Sequence, residues 1–204
     1  MKKLIVIGLA IPALALAAAA MSSGGTSNAA LHAHPKANAP STPQALAPML
    51  ARARLATAKY ATSLQRARAD GYRTIVTQHM PDMGHHFLNP KITGFDITRP
   101  PILVYVKRGR NWQLVAFEWV FTETPATPPL PGARYGSFAA ACHYVDGTFV
   151  AAAAEADCPP RSPTSNARFG FWHPDFVTLH LWAWYPNPDG IYNGTNRLVR
   201  PFNR

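Results

Sequence analysis

Residues 112–121 read Trp-Gln-Leu-Val-Ala-Phe-Glu-Trp-Val-Phe, and the fold turns on this stretch. Apolar side chains stand at both odd and even positions, the mark of a strand buried on both faces. A glycine-containing turn at residues 108–111 leads into it from a second apolar run, 102–106, introduced by Pro100 and Pro101 as at an edge or a strand start. Two strands joined so tightly run antiparallel. Further on, residues 138–145 and 148–152 flank an Asp146-Gly147 turn as another hairpin. Residues 176–184 form a last long strand, closed by Asn187-Pro188-Asp189-Gly190. No repeat, glycine-rich phosphate loop or regular βαβ alternation is present, so the pattern predicts an antiparallel α+β fold.

The helical part lies upstream. Leu46, Met49, Leu50, Ala53, Ala56, Tyr60, Leu64 and Ala67 recur at helical spacing, with Arg52, Lys59 and Arg66 on the other side. Ser41 or Thr42 offers an N-cap, Pro43 suits the first turn and Gly71 a C-terminal stop. One helix over residues 44–70 follows. Its apolar stripe needs a partner, so the expected architecture is an N-terminal amphipathic helix packed on a curved, mainly antiparallel β-sheet.

The chain begins with Lys2 and Lys3, an uncharged apolar run at residues 4–20 and then small residues, the layout of a secretion signal. Cleavage after Ala20 or Ala29 fits the small side chains there. Residues 1–29 are assigned to the signal peptide, 30–43 to a flexible linker rich in small residues and proline, and 44–204 to a single globular domain. The mature chain then carries no integral membrane span and is secreted or periplasmic. Two cysteines, Cys142 and Cys158, in an exported chain predict a disulfide. The formal charge of +10 falls to +8 once Lys2 and Lys3 are removed. Its basic residues are scattered and form no nucleic-acid motif, which argues against nucleic acid and for anionic envelope polymers or a small molecule as partners.

Of the chain's ten acidic residues, Glu118 alone stands inside an apolar strand. A carboxylate buried there needs a cation, a donor network or a metal ion, or else takes up a proton. By strand alternation it shares a face with Trp112, Leu114, Ala116 and Val120. Histidines are the natural partners. His180 is central in its strand, His173 lies just before it, and His85-His86 occupy a glycine turn. His86, Glu118, His173 and His180 are the candidate ligands of a divalent transition metal, Zn, Cu, Fe or Mn. His143, beside Cys142, reads equally as a ligand or a structural residue, and Asp175 is placed to orient an imidazole. Trp182 and Trp184, two residues apart, would alternatively form a flat platform for carbohydrate or envelope material. No serine lies in a nucleophile elbow, so catalysis, if any, would run through the metal.

Four features together resemble a family of uncharacterised secreted bacterial proteins. They are Gly71-Tyr72 after the helix, Met83-Gly84-His85-His86-Phe87-Leu88-Asn89-Pro90, the hydrophobic strand carrying the single Glu118, and a block from His173 to Tyr192 that fits HPxFxTLHxWxWxxNPxGxF apart from its final residue, Tyr192. The first long motif fits MGxH(F/Y)xNP. The resemblance spans about residues 50–200. It implies that His86, Glu118, His173 and His180 belong to one pattern and brings no activity with it.

Overall fold

The computed structural model describes residues 42–202, so the expected signal peptide and all but the end of the expected linker lie outside the described residues. The domain is mixed α+β and mostly β, with a curved antiparallel sheet as its main element. Helix α1 spans Thr42–Thr57 and α2 spans Leu64–Ala69, with a 3-10 turn at Ala58–Tyr60 between them. Nine strands follow: β1 (Thr74–Met80), β2 (Gly84–Leu88), β3 (Ile102–Arg108), β4 (Asn111–Phe121), β5 (Gly136–Phe138), β6 (Ala141–Tyr144), β7 (Phe149–Ala151), β8 (Phe169–His173) and β9 (Phe176–Leu181). Six of them make one antiparallel sheet in the order β1-β2-β3-β4-β9-β5, and β7-β6-β8 make a second.

The predicted single helix is two helices. Ser63 caps α2 by accepting a hydrogen bond from the Arg66 amide at 3.3 Å. Across the interruption the buried positions run Ala53, Thr57, Tyr60, Leu64 and Ala67, steps of four and three. Thr57 is buried where the sequence pattern puts Ala56, which is exposed. The change is polar in origin: the Thr57 hydroxyl donates to the Ala53 carbonyl at 2.7 Å and accepts from Trp184 Nε1 at 3.0 Å. Leu46, Ala53, Tyr60, Leu64 and Ala67 share one apolar cluster with Phe87, Leu103, Tyr105, Phe117, Trp119, Leu179 and Leu181 of the sheet. Tyr105 also donates its hydroxyl to the Tyr60 carbonyl at 2.8 Å.

Strand β4 lies between β3 and β9 and behaves as the sequence indicates, buried on both faces. Its alternation, however, is broken. Val104 opposes Ala116 while Tyr105 opposes Leu114, leaving Val115 unmatched in a β-bulge. Leu114 therefore packs in the helix-side cluster with Phe117, whereas Ala116 joins Val104, Val106 and Trp182 on the other side. The expectation that Trp112, Leu114, Ala116 and Glu118 share one face fails at this bulge, because one extra residue inverts every side chain beyond it.

Two further boundaries move. Phe138 does not belong to the 138–145 strand but to the short edge strand β5, which pairs with β9 in the larger sheet. The last strand ends at Leu181, short of Trp184, as the chain turns and the Ala183 amide bonds to the Leu181 carbonyl. His85 and His86 lie within β2 itself, past the turn. Gly84 opens β2 with φ +118°, and a Cβ there would run into the Tyr105 carbonyl oxygen. The Cys142–Cys158 disulfide is formed and ties β6 to the loop before β8. Among the described residues no helix is long and apolar enough to cross a membrane.

Replacing Gly84 by alanine forces both the positive φ and that carbonyl contact, so Gly84→Ala should cost about 2 kcal/mol or more in urea unfolding. Gly109→Ala, also at positive φ but with open space around its Cβ position, should cost less.

Candidate functional site

On the sheet face away from α1, register brings three titratable groups together. Glu118 on β4 sits directly opposite His180 on β9, and His86 on β2 opposes Val104, which in turn opposes Ala116. Glu118 and His180 are thus cross-strand neighbours, within the roughly 5 Å Cβ spacing of such pairs. His86 reaches over β3 toward them. Its Nε2 lies 3.7 Å from Glu118 Oε2, and its ring centroid is 6.1 Å from that of His180.

All three are removed from water. His86 and His180 are 3 % exposed, and the Glu118 side chain 12 %. Burial penalises the charged form of each group. It pushes the Glu118 carboxyl up to about 7 and the His86 and His180 imidazoles down to about 3, with the neighbouring histidine a smaller downward influence on each ring. The 3.7 Å contact is longer than a hydrogen bond and, with His86 neutral at ordinary pH, is not an ion pair. Thr77 Oγ1 bonds His86 Nδ1 at 2.7 Å and fixes the ring. His180 differs: neither ring nitrogen has a hydrogen-bond partner, although the ring is buried against Trp182. A neutral imidazole without partners is an uncommon and costly thing to bury.

A cavity of about 110 Å³ opens beside the pair, lined by Thr77, Met80, Met83, His86, Glu118 and Thr178 among others. A larger cleft of about 570 Å³ reaches His180 and Thr178 from the side of Tyr135 and Tyr192. Thr178 lines both spaces. Thr77 and the two methionines could not be found from sequence: Thr77 lies in a polar strand with bulges on either side of it, and nothing local marks it.

His173 is elsewhere. It closes β8 in the second sheet, and its Nε2 lies 3.0 Å from Nε2 of His143. Asp175 is exposed and accepts from the Ala140 amide at 2.7 Å, so it orients backbone and not an imidazole. Among the described residues no three His, Cys, Asp or Glu side chains already converge on one point. Trp182 and Trp184 do not form a common platform. Trp182 is 2 % exposed, packs with Val104 and Ala116, and donates to the Asn193 carbonyl at 2.6 Å. Trp184 packs with the helix-side cluster, because the chain turns between them. Compared with protein-family models, curated proteins and solved structures, the chain matches none.

A carboxyl whose pKa is raised on folding binds its proton more tightly in the folded chain than in the unfolded one. Glu118 therefore contributes stability below about pH 4.5 that is lost as the pH rises through 7. In the metal-free chain Glu118→Gln should gain about 3 kcal/mol at pH 8 and less than about 1 kcal/mol at pH 5, read from urea midpoints at the two pH values. Three of the buried histidines act in the opposite sense. His86 and His180 fall to about 3 and His143 to about 4, so their contribution is complete above 6.5 and drains away below it. Acid unfolding should begin near pH 6 and sharpen toward 4, and the acid limb should flatten in His180→Phe.

Proposed function

We propose that this is an exported protein that holds one divalent transition-metal ion, of the Zn, Cu, Fe or Mn class, through His86 and Glu118, with His180 as third ligand. The observation that carries the reading is a neutral imidazole nitrogen facing a carboxylate oxygen at 3.7 Å beside a small cavity, next to an imidazole with no hydrogen-bond partner. Metal–ligand bonds of about 2.0–2.1 Å on each side span up to about 4 Å, so an ion fits between His86 Nε2 and Glu118 Oε2 as they stand. His180 joins by rotating about its side-chain bonds from the position opposite Glu118. The Thr77 contact to His86 Nδ1 is the usual outer support of a metal-bound histidine. His173, paired with His143, takes no part in this site.

A buried carboxylate that costs the metal-free fold stability is a poor structural device and a good ligand. The ion would neutralise it and satisfy the imidazoles at once. The cavity leaves room beside the ion for water or a small molecule, since each water occupies about 30 Å³. That open position favours, as a second reading, a metal-dependent enzyme in which bound water is activated. Export rests on the secretion-signal layout, with the disulfide compatible with it, and the excess of basic residues suits a setting among anionic envelope polymers.

Elemental analysis and zinc or cobalt titration of the purified full chain test the proposal. One ion per chain is expected, with affinity falling at least about 100-fold in His86→Ala and in Glu118→Ala. Binding should weaken as the pH drops below 7, where Glu118 takes up a proton. Unchanged stoichiometry and affinity in both variants would remove the site.

A further inference from the structure

His143 and His173 are held in a different way from the groups around Glu118. They are 0 % and 5 % exposed and meet through their Nε2 atoms at 3.0 Å. Each Nδ1 faces a backbone carbonyl: His143 that of Val76 at 2.7 Å, His173 that of Pro174 at 2.6 Å. A carbonyl oxygen only accepts, so both Nδ1 atoms carry protons. A neutral imidazole has a single N–H. With both spent on carbonyls, two bare lone pairs point at each other, and three close contacts share two protons. A cation between the Nε2 atoms resolves the conflict.

We propose that His143 and His173 bind a single soft monovalent metal ion of the Cu(I) class, at a site separate from the one assigned above. Donation of Nδ1–H to a backbone carbonyl is what orients metal-binding histidines and raises the basicity of the opposite nitrogen. The charge of the ion follows from the surroundings. No carboxylate or thiolate completes a ligand group among the described residues, and both cysteines of the chain are in the disulfide. The walls are aromatic. Phe171 stacks on His143 at 4.7 Å, Phe176 stacks on His173 at 4.8 Å, and Phe138 packs against both rings. A divalent ion bound by two neutral ligands would bury two uncompensated charges there, whereas a monovalent ion buries one, spread over rings that lie on phenylalanine faces. Imidazole is a suitable ligand for copper. Two bonds of about 2 Å along the facing lone pairs span about 4 Å, so the rings part by about 1 Å from their present 3.0 Å separation when the ion is bound. Phe138, on the three-residue edge strand β5, also lines the cavity beside Glu118, so its ring stands between that cavity and the histidine pair.

Silver(I), which resists oxidation, is the probe, added to metal-free full chain with Cu(I) under anaerobic conditions as the companion. One equivalent should move the Nε2 nitrogen resonances of His143 and His173 while both Nδ1 atoms stay protonated. Affinity should fall at least about 100-fold in His173→Gln and in His143→Gln and stay within about twofold in Glu118→Gln. The last variant separates this site from the His86–Glu118 site, whose zinc binding it weakens. Because the nitrogen resonances are read on unmodified protein, a variant that fails to fold does not decide the matter. Unmoved resonances at one equivalent, a retained third proton between the two rings, or preferential uptake of Zn(II) by this pair would each overturn the proposal.

Discussion

Strand β4 is hydrogen-bonded on both edges, to β3 and to β9, and neither its register nor its direction can change without undoing the centre of the larger sheet. That constraint puts Glu118 where it is. Its neighbours on the same strand, Phe117 and Trp119, are fully buried on the helix side, so their packing holds the carboxyl on the opposite face. The fold therefore sets a titratable group in a place that simple transfer energetics oppose. The strand tolerates it because the flanking residues bury enough apolar surface to fix the register regardless.

The histidines share that position. Four imidazoles, His86, His143, His173 and His180, are buried on strands of the two sheets, and folding drives three of them toward their neutral forms. Two consecutive residues of β1 serve both groups: the Val76 carbonyl takes the Nδ1 proton of His143, and the Thr77 hydroxyl bonds Nδ1 of His86. A shift of β1 against β2 would disturb the two clusters together. Gln78 is tied through its amide to the Gly147 carbonyl, so the β6–β7 turn braces the same segment. The two histidine groups are thus chemically distinct but share one mechanical support.

Much of the fold is legible in the sequence. The β3–β4 hairpin, the buried character of residues 112–121, the disulfide and the strand carrying His180 all follow from local pattern: apolar runs, turn residues and an even cysteine count. Strand β8 leaves no local signal, because Phe169-Gly170-Phe171-Trp172-His173 lies among prolines and has no alternation with polar residues. The break between α1 and α2 is hidden in the sequence, because Ser63 interrupts a spacing that continues in phase on either side of it. Trp182 and Trp184 have the spacing of one strand face, and the turn after Leu181 that separates them leaves no trace in that spacing.

The sequence by itself determined that one glutamate stands inside an apolar strand, in a chain that offers histidines as partners. Composition and alternation report burial, and burial alone makes such a carboxyl exceptional. Which histidines meet it was decided only by tertiary structure. His86 and His180 reach Glu118 through strand pairings across β3 and across the β4–β9 ladder, while two residues, Pro174 and Asp175, carry the chain from one sheet to the other and leave His173 with His143. Register between strands distant in sequence is fixed by the summed packing of whole faces, and no single motif encodes that sum.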